Sequence, residues 1–123
     1  MARVLVADDD IDILELVEII LKSAGHEVKR TDDVTNFYKL ITSFCPDILL
    51  LDVFMPPFDN RTLCKALKDT PGFTTPILLF SANDMDDRSL NDCGADGFLP
   101  KPFEISQLRW FVDRGLFAGK QSR

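Results

Sequence analysis

The chain has 123 residues, room for one domain built around one core. Apolar residues make up 46% and charged residues 28%, the balance of an ordinary globular domain. A net charge of -6 argues against broad nucleic-acid binding through phosphate contacts, and no apolar run approaches the ~20 residues of a membrane helix.

The stretch Val4 to Ala7 is short, apolar and β-branched, the pattern of a strand buried on both faces of a parallel sheet. It runs into three adjacent carboxylates, Asp8, Asp9 and Asp10. The next stretch has a helical period, with Leu14, Val17, Ile20 and Leu21 on one face and Gly25 as terminator. An aspartate before Ile11 can cap that helix and oppose its positive end, and Asp10 reads as that cap or as a solvated residue rather than a fourth metal ligand. The segment HEVKRT alternates and suits a strand near the sheet edge. A second helix follows, capped by Asp32 or Asp33, with Phe37, Leu40, Ile41 and Phe44 inward, and Pro46 forbids its continuation.

DILLLDVF is a second strongly apolar strand, and it ends on Asp52. MPPFDN reads as a loop, and RTLCKALKDT as a third helix with Leu63 and Leu67 inward. PILLFSA is a strand ending on Ser81. The following NDMDDRSLNDC is rich in Asp and Asn, which disfavour a helix interior, so a short or mobile fourth helix is expected, with Leu90 and Cys93 inward. GFLPKPF is a short strand closed by prolines, and EISQLRWFVDRGLF a last helix with Ile105, Leu108, Val112 and Phe111 inward. Trp110 lies off that face. The ten phenylalanines read as core filling, and the three cysteines, without metal-ligand spacing, as reduced thiols of a cytoplasmic protein.

Strand and helix alternate five times with short connections. That predicts a doubly wound α/β fold of the flavodoxin-like kind, a five-stranded parallel sheet with five helices on its two faces. The carboxyl ends of the strands carry Asp8, Asp9, Asp52, Ser81 and, just beyond the last, Lys101. In such a sheet ligands bind outside those ends. An order 2-1-3-4-5 makes Asp8, Asp9 and Asp52 converge, with Ser81 and Lys101 on the far rim. Three carboxylates without Cys or His call for a hard cation, Mg²⁺ before Ca²⁺. A lysine and a hydroxyl opposite the metal suit a phosphoryl group, with a carboxylate as nucleophile.

The motifs LVADD, LLLDVFMPPFDN, LLFSA and GADGFLPKPF, in this order and spacing, resemble the response-regulator receiver domain of two-component signalling. The resemblance covers Val4 to about Leu116, so residues 1–117 are expected to form the domain and 118–123 a tail or the start of a linker. It implies that Asp52 is the phosphoacceptor, that Asp9 binds Mg²⁺ with Asp8 assisting, and that the Phe54 backbone carbonyl is a further ligand. Ser81 and Lys101 would contact the phosphoryl group, Phe98 would be the aromatic switch, and the Lys101–Pro102 bond would be cis. The implied donor is a histidine kinase or histidine phosphotransfer protein. The implied reader is an output domain or target protein, with neither nucleic acid nor membrane bound by this chain.

Four departures from the family pattern carry expectations. Asn60 stands where glycine is common and is read as a residue tolerant of positive φ. Phe54, two positions after the acceptor, cannot orient an attacking water, which implies slow self-dephosphorylation, although Asn83 offers a polar group two positions after Ser81. Phe98 replaces the common tyrosine. Gly97 and the last helix lack the pattern of receivers that dimerise through their last elements. His26, at the wrong end of the sheet for a phosphodonor, is expected to be exposed or structural. Three rivals follow: a docking scaffold, an aspartate-nucleophile Mg²⁺ phosphatase and a flavin-binding domain. The phosphatase usually needs a second aspartate where Phe54 stands, and the flavin domain a hydroxyl-rich loop where the aspartates stand.

Overall fold

A computed structural model describes residues 2–81 and 92–121, with side chains of the last helix described as far as Asp113. The elements in order are β1 (Arg3–Ala7), α1 (Ile11–Ser23), β2 (Glu27–Thr31), a 3₁₀ turn (Val34–Asn36) and α2 (Phe37–Phe44). Then come β3 (Ile48–Asp52), β4 (Phe54–Met55), β5 (Phe58–Asp59), α3 (Asn60–Lys68), β6 (Ile77–Ser81), β7 (Gly97–Pro100) and α4 (Ile105–Gln121). The main sheet is parallel, with order β2-β1-β3-β6-β7, the expected 2-1-3-4-5 of its five strands. Four of the five expected helices lie among the described residues. The segment expected to form the other, with Asn83 and Leu90, lies largely outside them.

The central strands β1, β3 and β6 are buried almost throughout, which is why they read as continuous apolar runs. The edge strand β2 is mostly exposed, with only Val28 and Thr31 partly buried, so the expected alternation does not carry through it. The sheet divides the core in two. On one side Leu14, Val17, Ile20 and Leu21 of α1 pack with Leu108 and Val112 of α4 against Val4, Val6, Leu50 and Phe80. On the other, Phe37 and Phe44 of α2 and Cys64 and Leu67 of α3 pack against Leu5, Leu49, Leu51 and Leu79. Gly25 ends α1 with φ +92°, a backbone that a side chain would strain.

Three local expectations are corrected. The second helix begins as the 3₁₀ turn capped by Asp33, because the Asp33 carboxylate accepts from both the Thr35 amide and its hydroxyl and tightens the entry. The loop MPPFDN is most of a hairpin of β4 and β5 that begins one residue earlier, with Phe54 paired to Asp59, and it holds a cis Pro56–Pro57 bond. Ile105 is 54% exposed: it opens α4 at the sheet's rim, and the inward places go to Leu108 and Val112 with Phe103 and Phe111 beside them.

His26 is structural. Its Nδ1 accepts from the Ala2 amide at 3.0 Å and its Nε2 meets Asp113 Oδ1 on α4 at 3.0 Å. The side chain is largely buried at the amino end of the sheet, away from the strand ends that gather the carboxylates. Trp110 is 55% exposed and meets Phe111 edge-on at 5.2 Å.

Candidate functional site

The site is built where β1, β3, β6 and β7 end. Asp8 follows β1 and is fully buried, Asp52 closes β3 and is 7% exposed, and Ser81 closes β6 and is 2% exposed. Parallel pairing places these ends side by side, with Ala7 beside Leu51, Asp52 beside Phe80 and Ser81 beside Pro100. Asp9 is exposed at the mouth. One carboxylate oxygen each from Asp8, Asp9 and Asp52 lies within 4.8 Å of the others.

The three adjacent aspartates separate by backbone role. Asp10 caps α1, its Oδ1 accepting from the Asp12 amide at 2.9 Å and the Ile13 amide at 3.4 Å. Its own amide donates to Asp8 Oδ1 at 3.0 Å, so the cap also orients the buried carboxylate.

Lys101 supplies the positive charge. Its Nζ lies 2.7 Å from Asp8 Oδ2 and 3.4 Å from Asp52 Oδ2. It therefore stands in the acidic pocket, nearer than the far rim expected from strand order. The cause is the turn after β7: the Lys101 amide donates to the Ser81 carbonyl at 2.7 Å, and the Lys101–Pro102 bond is cis as expected. Burial works against the ammonium, but the Asp8 and Asp52 carboxylates outweigh it and raise the Lys101 pKa above 10.5. For Asp52 the balance runs the other way. Burial first, then the Asp8 charge, push its pKa from 3.8 to about 7, with Lys101 opposing.

The donor set fits a hard divalent cation, since it is all oxygen and carries more negative than positive charge. With such an ion bound, both the Asp8–Asp52 repulsion and the raised Asp52 pKa would be relieved. Beside the mouth, Asp9, Asp32, Asp33 and Met55 line a cavity of 110 Å³.

Phe54 is 45% exposed, and the Arg61 guanidinium sits over its ring at 5.4 Å. Arg61 is itself held by a fork onto Asp59, Nε to Oδ1 at 3.0 Å and Nη2 to Oδ2 at 2.7 Å. That fork holds the Asp59 carboxyl below its usual pKa. Phe98 is partly buried and packs on the α2–α3 side of the core.

Asn60 is the residue that sequence reasoning misread. Its backbone φ is not positive; among the described non-glycine residues only Cys45 has that conformation. It is instead 1% exposed, and its Nδ2 donates to the Asp52 carbonyl at 2.8 Å. A polar residue at the start of a helix whose apolar face is already assigned was the available signal.

The comparisons agree with this geometry. The model of the response regulator receiver domain matches residues 4–113. The response regulator MprA of Mycobacterium tuberculosis is 39% identical over 108 residues, covering 86% of this chain and 46% of that protein. The chain thus spans about half the length of the curated relatives it matches. A putative response regulator from Chloroflexus aurantiacus superposes with TM-score 0.86 at 34% identity, covering 94% of this chain and 98% of the other. The chemotaxis protein CheY4 of Vibrio cholerae superposes with TM-score 0.84 at 30% identity, covering 93% and 98%. Among the described residues no helix is long and apolar enough to cross a membrane. With a parallel sheet of this order, an acidic pocket at its carboxyl end and a lysine reaching into it, the chain belongs to the receiver domains of response regulators, the signalling modules of two-component systems.

Proposed function

We propose that this domain is a cytoplasmic phosphorylation switch whose acceptor is Asp52. The observation that carries the reading is the cluster of Asp8, Asp9 and Asp52 with Lys101 in contact. Receiver domains generally bind Mg²⁺ at an acidic pocket, and here Asp8, Asp9, Asp52 and the Phe54 carbonyl would hold it. The bound ion supplies charge neutralisation at the phosphoryl oxygens.

The donor is a phosphohistidine of a partner histidine kinase or histidine phosphotransfer protein. An ionised Asp52 oxygen attacks phosphorus in line. The P–N bond breaks, its electron pair returns to the imidazole, and an acyl phosphate forms on Asp52. Lys101 then moves its charge from Asp8 toward the phosphoryl group, and the Ser81 hydroxyl donates to another of its oxygens. Ser81 drawn inward makes room for Phe98, and β7 and α4 present an altered surface to an output domain or target protein. Phe54, in the place of a second acidic group, argues for a switch rather than a phosphatase with turnover.

The test is incubation with Mg²⁺ and acetyl phosphate followed by intact mass. A gain of one phosphoryl group, absent from Asp52→Asn and from samples with chelator, is the expected result. No gain under any donor or metal condition would refute the reading.

A further inference from the structure

Asn60 opens α3 with an ordinary backbone, so conformational tolerance does not explain it. Its contacts do. The side-chain Nδ2 donates to the Asp52 carbonyl at 2.8 Å, in a fully buried bond. The Asn60 amide donates to the Val53 carbonyl at 2.7 Å. One residue thus grips two successive carbonyls just where β3 ends. The Val53 amide, meanwhile, donates to the Phe80 carbonyl on β6 at 2.8 Å. The peptide joining Asp52 to Val53 is therefore held at both poles, its oxygen by Asn60 and its N–H by the neighbouring strand.

That peptide sets the direction in which the Asp52 side chain leaves the backbone. If it rocks, the carboxylate swings relative to Asp8, Asp9 and Lys101. In-line attack is sensitive to such motion, because reacting atoms must meet at about 3–3.5 Å with aligned orbitals, and a misplacement of about 1 Å costs up to about 100-fold. A glycine here would keep the main-chain bond to Val53 and leave the Asp52 carbonyl without this donor.

We propose that Asn60 is a positioning residue for phosphoryl acceptance, acting through the Asp52 backbone. The proposal rests on Asp52 being the acceptor. It also ties the amino end of α3 to the acceptor strand by a side chain, so that a displacement of one is felt by the other.

The test compares Asn60→Gly with a control in the same helix. Cys64→Ala removes a buried thiol that bonds the Cys93 carbonyl at 3.3 Å, so it lowers stability without altering the grip on Asp52. The phosphate gain is followed by intact mass at saturating Mg²⁺ and acetyl phosphate, and the urea midpoint is measured in parallel. Asn60→Gly is expected to slow the saturated rate about five- to tenfold. Cys64→Ala is expected to lower the urea midpoint while keeping the rate within about twofold of wild type. A wild-type rate in Asn60→Gly overturns the proposal and leaves the functional reading standing. Equal slowing in both variants overturns it as well, because stability alone would then explain the loss. Absence of phosphate gain in the wild type overturns both. If Asn60→Gly does not fold, Asn60→Ser takes its place, with slowing of about threefold or more expected and the same outcomes decisive.

Discussion

Replacing Asp52 with asparagine should stabilise the metal-free protein, and only above mildly acidic pH. In the folded chain burial and the Asp8 charge raise the Asp52 pKa from 3.8 to about 7, while in the unfolded chain both influences vanish. Between those values the folded state holds a proton that the unfolded state has released. Stability contributed by this group is therefore full below about pH 4 and is lost as the pH rises through about 7. The whole climb corresponds to an upper limit of roughly 4 kcal/mol. Relaxation and water entry around a buried charge reduce what is realised, so we expect about 2–3 kcal/mol. Asp52→Asn keeps the shape, keeps the Lys101–Asp8 contact at 2.7 Å and removes the titration. The assay is urea unfolding with chelator present, at pH 4 and at pH 8. At pH 8 the variant's midpoint should exceed wild type by about 1–2 M, and at pH 4 the two should nearly coincide. Taking the difference between the two proteins cancels the opposite contributions of Glu18, Asp33 and Asp59, whose lowered pKa values stabilise the fold as pH rises through the acid range. Equal stability at pH 8, or an equal gain at both pH values, would refute the account of Asp52 as a strained buried charge.

Gly97→Ala would set a Cβ 2.8 Å from Phe111 Cε1 and 3.0 Å from Leu78 Cδ1, so a loss of about 1–3 kcal/mol is expected in urea unfolding. Phe111→Leu in the same chain should recover part of it, and strict additivity of the two would count against the contact. Of the cysteines, exposed Cys45 should take up a maleimide in the native protein. Cys64 and Cys93 should react only after unfolding, since both are buried and burial, then the neighbouring Cys93, push the Cys64 thiol up to about 12. Rapid uptake of a second label by folded protein would contradict the packing. Phe54→Asn should shorten the life of the phosphorylated form by about fivefold or more, followed as loss of the phosphate mass, because a polar group there can orient water. An unchanged decay rate would show that the ring under Arg61 has no part in it.

The sheet was legible because burial on both faces leaves a signature no other element shares. Val4 to Ala7, Ile48 to Leu51 and Ile77 to Phe80 are apolar without alternation, and each is followed at once by a polar residue of the candidate site, Asp8, Asp52 or Ser81. The pocket could be assembled on paper from strand order alone, since parallel strands bring their carboxyl ends together. What sequence could not supply were contacts depending on side-chain reach. That Lys101 would supply positive charge to the aspartates was legible, but its place inside the pocket, 2.7 Å from Asp8, rather than on the far rim depends on the turn after β7. Asn60 was read through its backbone propensity because its partner, a main-chain carbonyl, has no side-chain identity to find in a sequence. The β4–β5 hairpin was hidden by two prolines and a run too short to alternate. Ile105 looked inward because helical period fixes a face but not where along the helix the core stops.

Strand β7 has one further consequence. Neighbouring residues of a strand point to opposite faces. On β7 these are Gly97, against Phe111 and Leu78, and Phe98, against the core of α2 and α3. The strand lies at the sheet's edge, paired on one side to β6. It behaves as a tongue clamped between two packed compartments that the sheet otherwise keeps apart. Sliding or tilting it by a fraction of an ångström loosens one compartment as it compresses the other. A small event at Ser81, which pairs with Pro100 at the end of this tongue, would therefore be read on both faces of the molecule at once.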